Sequence, residues 1–135
     1  FLVYSGRKTP TPQVIARVET LRRRLPAVVD AVFSATGALA LEGAAAIEAE
    51  DWPRLGAAMN IGHDLMAALG VDTAELRAIA NVVRSDPGVH GAKISGSGLG
   101  DCVVAVGRRR VTASDERDLE VVLAREGVRV EEGAR

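Results

Sequence analysis

A chain of 135 residues has room for one compact domain, or for one half of a two-domain protein, and excludes two complete catalytic domains. Seventeen Lys and Arg against eighteen Asp and Glu give a formal net charge of -1, so no global field draws the chain to nucleic acid or to an anionic membrane. With 47% hydrophobic but only 3% aromatic residues, the expected core is Ala, Val, Leu and Ile without base-stacking platforms, and a lone Cys102 excludes an intrachain disulfide framework and a Cys-rich zinc site.

No apolar run reads as the ~18 to 20 residues of a membrane span, and a reducing, cytoplasmic setting is expected. The first four residues, Phe1-Leu2-Val3-Tyr4, read as a strand without a charged leader, so the sequence is expected to open inside an element as a fragment of a longer chain. Prolines at 10 and 12 forbid continuation of that strand. Thr11 followed by Pro12 predicts a helix cap with proline at the first helical position, and Val14, Ile15, Val18, Leu21 and Leu25 recur at helical spacing. Arg22 to Arg24 then fall in the last turn, where cations complement the helix dipole.

Pro26 opens a second helix with Val28, Val29, Val32, Phe33, Thr36 and Ala40 on one face; Gly37 and Gly43 weaken it, and residues 44 to 49 either continue it or form a separate turn. Asp51 caps a third helix through Trp52, Leu55, Met59, Gly62, Met66 and Leu69, and Gly70 stops it. Asp72 with Glu75 three residues later reads as a capping box before Leu76, Ile79, Ala80 and Val83, and Asp86-Pro87-Gly88 supplies a turn. Val89 to Ser95 and Cys102 to Val106 read as strands. The second is apolar throughout, which suggests cover on both faces or a short buried strand. Ser114 begins a last helix ended by Gly127, and Val128 to Val130 closes a sheet. Two strands adjacent in sequence require a hairpin, so the expectation is an α+β layer with a ferredoxin-like, four-stranded antiparallel sheet packed with helices.

Between the paired strands runs Gly91-Ala92-Lys93-Ile94-Ser95-Gly96-Ser97-Gly98-Leu99-Gly100-Asp101-Cys102. A two-residue hairpin needs at most two glycines, whereas Gly96, Gly98 and Gly100 leave a row of amides without Cβ shielding, able to approach phosphate oxygens. Ser95 and Ser97 add hydroxyl donors and Lys93 a point charge. The spacing fits neither the Gly-x-x-x-x-Gly-Lys-Ser/Thr loop nor the dinucleotide fingerprint. A wide hairpin whose glycines only relieve strain is the competing reading of the bare pattern.

That segment resembles the third conserved motif of the GHMP small-molecule kinases, roughly Gly-Ala-Lys-x-Thr/Ser-Gly-Ala/Ser-Gly-x-Gly-Gly-Cys. Leu55 to Leu65, Leu69-Gly70-Val71-Asp72 and Tyr4 to Thr11 resemble the mevalonate kinase branch. The resemblance implies that residues 1–135 form the C-terminal domain of a kinase that transfers the ATP γ-phosphate to an alcohol such as mevalonate, a step of isoprenoid biosynthesis. It also implies that ATP and Mg2+ are held mainly by an N-terminal half, which carries the ATP-cradling loop and the catalytic Asp and Lys; no catalytic residue or metal ligand is expected among these residues. Lys93, Ser95, Gly96, Ser97, Gly98, Leu99, Gly100 and Asp101 map onto the phosphate side; Leu99 and Asp101 depart from the small residues or glycine of many members. Lys8, Thr9 and Thr11, with Asn60 and His63 on the third helix, are the substrate-side candidates, set against plain capping and helix packing. The partners implied are the alcohol, ATP and the chain's own N-terminal domain, without nucleic acid or membrane. A cleft face bared without that domain would favour a homodimer. A free-standing ferredoxin-like ligand-binding or regulatory module is the alternative; a nucleic-acid binder of that architecture is disfavoured by charge and aromatic content. Replacing Gly98 by Val is expected to depress turnover while the fold is kept.

Overall fold

The alternation of Val3, Ala92, Ile94, Val103 and Ala105 with less buried neighbours assembles a sheet with one well-covered face. The computed structural model describes residues 1–109, 118, 119 and 121. Its elements in chain order are β1 (Leu2–Tyr4), α1 (Thr11–Arg24), α2 (Pro26–Glu48), α3 (Trp52–Ala68), α4 (Ala74–Arg84), β2 (Val89–Ile94), β3 (Cys102–Gly107) and β4 (Asp118–Leu119). The sheet runs β2-β3-β1-β4 and every pairing is antiparallel, Val3 lying opposite Val103 and Ala92 opposite Ala105. On the covered face lie Leu76, Ala80 and Val83, one stripe of α4 at steps of four and three. Full burial of Leu76 and Ile94 contributes about 1.5 to 3 kcal/mol each.

Several expectations change. Of the two alternatives for residues 44 to 49, continuation of α2, to Glu48, is the one formed, an alanine-rich run carrying little propensity penalty. The resulting 23-residue helix is long and apolar enough to cross a membrane by length and composition, with a mean hydropathy of 1.4 over its most apolar window, a property hidden when the stretch is divided at Gly43. Here α2 sets Val29 and Ala46 inward and leaves Val28, Leu41 and Ile47 exposed. Thr11 is the first helical residue and Pro10 its extended cap. No hydroxyl is needed there, since Pro12 lacks an N–H and Gln13 donates to the Pro10 carbonyl (2.9 Å). β3 buries only Val103 and Ala105, not both faces. Asp118 and Leu119, expected inside a helix, instead pair with β1, whose second edge otherwise lacks a ladder partner. The rest of that helix and the strand expected at Val128 to Val130 lie outside the described residues.

β2 is an edge strand, and α3 lies so close along it that its outward backbone groups are satisfied by side chains. The Ala92 N–H donates to Asn60 Oδ1 (3.1 Å), and Arg84 donates through Nε and Nη2 to the Ala92 carbonyl (3.1 and 2.8 Å). Lys93 Nζ donates to the Ile94 carbonyl (2.6 Å). Gly56 of α3 and Gly91 of β2 make this approach feasible: a Cβ on Gly56 would strike the His90 carbonyl, and one on Gly91 would lie 2.5 Å from the Gly56 Cα. Gly56→Ala should therefore destabilise by about 3 kcal/mol or more. Gly37→Ala, in a helix interior with nothing within 4 Å, should stabilise by about 0.5 to 1 kcal/mol. Denaturant midpoints of the two variants check this opposition.

Candidate functional site

The β2–β3 hairpin closes where the Ser95 N–H donates to the Cys102 carbonyl (2.8 Å), and the intervening loop is folded almost wholly at positive φ. Gly96 (+76°), Gly98 (+87°), Leu99 (+56°), Gly100 (+129°) and Asp101 (+72°) lie in that region. Where successive backbone N–H groups of a turn converge, they attract anions. Leu99 N–H donates to the Val71 carbonyl (2.7 Å) and Asp101 N–H to the Arg7 carbonyl (2.6 Å). Among the described residues the amides of Gly96, Ser97, Gly98 and Gly100 have no protein acceptor.

Two flanking segments brace the loop. On one side Thr9 Oγ1 donates to the Leu99 carbonyl (2.6 Å), the Ser5 N–H donates to the Asp101 carbonyl (2.8 Å), and a Cβ on Gly100 would lie 2.9 Å from the Arg7 carbonyl. On the other, a Cβ on Gly98 would collide with the Val71 carbonyl and lie 2.9 Å from the Val71 Cβ. Gly98→Val therefore does not leave the fold intact: it would push the loop off the α3–α4 turn. Gly96 is the more open position, its nearest neighbour being Asp101 Oδ2 at 3.7 Å.

The fold joins the segment after β1 to the glycine loop but separates the other candidates. Lys8 is exposed and its main chain lies against Gly100, whereas Thr11 opens α1 without a side-chain bond. Asn60 is committed to the β2 edge. Lys93 runs along Gly62 of α3 into an apolar cavity of about 240 Å³ lined by Leu39, Leu55, Met59 and Met66; burial lowers its pKa. Cys102 is half-buried, and burial, reinforced by Asp101, raises its thiol pKa, which keeps it a protonated packing residue.

His63 is buried, with Nε2 3.7 Å from Asp72 Oδ2, too long for a hydrogen bond. Burial, seconded by the Arg84 charge, lowers the imidazole pKa despite the opposing pull of Asp72 and Asp64, so the ring is neutral at neutral pH. Thr73, not Asp72, caps α4, its hydroxyl accepting from Leu76 N–H at 3.2 Å. Asp72 is thereby freed to accept from Arg77 Nε (2.7 Å) with its carboxylate only 1% exposed. His63, Asp64, Asp72, Arg77, Asn81 and Arg84 surround a polar cavity of about 300 Å³ between α3 and α4. No group of three or more His, Cys, Asp or Glu suited to a metal ion occurs among the described residues.

Residues 44–123 match the family described as GHMP kinases C terminal, more than half of the chain. The chain belongs to the GHMP kinases. Among curated relatives, the mevalonate kinase of Archaeoglobus fulgidus is 35% identical over 133 residues, covering 98% of this chain and 44% of that protein. The mevalonate kinase of Pyrococcus horikoshii is 33% identical, covering 98% and 43%. The chain thus spans under half the length of these relatives. The solved structure of L. major mevalonate kinase in complex with R-mevalonate superposes with a TM-score of 0.74 at 29% identity, covering 86% of this chain and 34% of that one. Lactococcus lactis galactokinase complexed with galactose, at 15% identity and a TM-score of 0.60 over 78% of this chain and 36% of that one, shares the fold.

Two outcomes follow from the geometry of this GHMP kinase domain. Leu99→Gly should relieve a left-handed backbone and raise stability by about 1 kcal/mol, read from the denaturation midpoint. For His63 the folded pKa lies below the unfolded one, near 6.5, so protons favour the unfolded chain as pH falls through and below that value. The Tm should decline from pH 7 to pH 5, and His63→Gln should flatten that decline.

Proposed function

We propose that this domain is the C-terminal half of an ATP-dependent kinase that phosphorylates a small alcohol, with mevalonate the substrate best supported. The observation that carries the reading is the set of amides at Gly96, Ser97, Gly98 and Gly100 that lack a protein acceptor among the described residues, in a loop folded largely at positive φ. Phosphoryl transfer depends on positioning and on stabilising charge spread over the phosphoryl oxygens, and a fixed amide donor of this kind contributes about 3 kcal/mol. The family and the names of the relatives favour ATP as donor; Mg2+ would neutralise the phosphates, held mainly by residues of an N-terminal half that also supplies the catalytic groups. Ser95 and Ser97 stand ready as hydroxyl donors at the loop. Thr9 and Lys8, tied to the same loop, form the wall nearest an acceptor alcohol.

Lys93 contributes differently from its sequence-based assignment. With its ammonium against the Ile94 carbonyl, it supports the strand that carries the loop.

The test is a coupled ADP-release assay on the intact protein with Mg-ATP and a panel of small alcohols. Mevalonate-dependent turnover is expected, with none from residues 1–135 alone, and Gly96→Ala should lower kcat at least several-fold without unfolding the protein. No turnover with mevalonate or any other alcohol of the panel would overturn the reading.

A further inference from the structure

Asp72 poses a problem that its neighbours do not solve. Its carboxylate is buried at 1% exposure, yet Oδ1 has no hydrogen-bond partner among the described residues, and neither has Nδ1 of the adjacent His63. A buried, half-satisfied carboxylate is costly, and the usual reason for an acid before a helix is absent because Thr73 caps α4. The residue next to it, Val71, is where the glycine loop rests: the Val71 carbonyl accepts the Leu99 N–H, and Gly98 packs directly on Val71. The α3–α4 turn is only a few residues long; Thr73 caps α4 from it, and Asp72 adds a second side-chain tie to α4, through Arg77 at 2.7 Å, while facing His63 of α3.

We propose that Asp72 is a positioning residue for the glycine loop: by tying the α3–α4 turn to Arg77 beside His63, it sets the Val71 carbonyl that holds Leu99 and so fixes the open amides of Gly96 to Gly98. The inference rests on the anion-binding reading of the loop for its catalytic consequence, but its structural part stands apart from that reading. Among the described residues Leu99 carries the one loop amide bonded to the turn, so that bond is the link through which a change at Asp72 reaches the site.

Asp72→Asn keeps the shape and removes the charge held by Arg77; Arg77→Gln removes the partner from a side chain 63% exposed and serves if the first variant folds poorly. In the intact protein, amide hydrogen exchange at Leu99 should quicken about tenfold in either variant, while Ala105, bonded to Phe1 within the sheet, stays as protected as in the wild type. The KM for Mg-ATP should rise about tenfold with the alcohol KM unmoved, and Arg77→Lys should restore part of it. Leu99 exchange unchanged, or raised only in step with Ala105, would overturn the proposal, as would equal rises in both KM values. If the wild type phosphorylates no alcohol, the kinase reading fails, and Leu99 exchange alone still decides the role of Asp72.

Discussion

Backbone lies against backbone in this domain without intervening side chains, and the placement of the glycine loop depends on that closeness. Gly56 against Gly91 brings α3 onto the edge of β2, and Gly98 against Val71 seats the loop on the α3–α4 turn. Any Cβ at these points would separate layers that otherwise share hydrogen bonds. The first contact lets Asn60, Arg84 and Lys93 reach the outward groups of Ala92 and Ile94, so the edge strand is covered by its own helices. The second determines where the open amides point.

The glycine loop is thus less an independent turn than a piece held from two sides. The segment after β1 grips it through Thr9 and Arg7, and the turn before α4 grips it through Val71. Leu99 and Asp101 tolerate positive φ because these grips offset the local strain, which costs of order 1 to 2 kcal/mol per residue. Under the proposed function, a loop already fixed by these grips would lose little entropy on binding an anion, the property required of donors that act on developing charge.

Much of this was legible in the residues. The order of elements to β3, the Asp51 cap, the Gly70 stop and the hairpin flanking Gly96 to Gly100 follow from spacing and turn chemistry alone. The motif also pointed to the family. What escaped was long-range: Asp72 looks like a helix cap because Asp and Thr cap equally well in sequence, and only packing against His63 reveals that Thr73 takes the cap and Asp72 the ion pair. The motif gives no sign of where the Lys93 stem runs, which strand alternation turns toward α3. Continuity of α2 was hidden by two glycines, and the strand at Asp118 by a helix-like pattern that the pairing demand of β1 overrides.

The central claim is that the bare amides between Gly96 and Gly100 hold the phosphoryl group during transfer. A crystal structure of the intact protein with Mg-ADP, aluminium fluoride and mevalonate tests it most directly. The fluoride-bearing centre is expected within hydrogen-bond reach of at least two of the amides of Gly96, Ser97, Gly98 and Gly100, with the Leu99–Val71 bond intact. A phosphoryl mimic seated away from this loop, or a loop rearranged off Val71 to receive it, would contradict it.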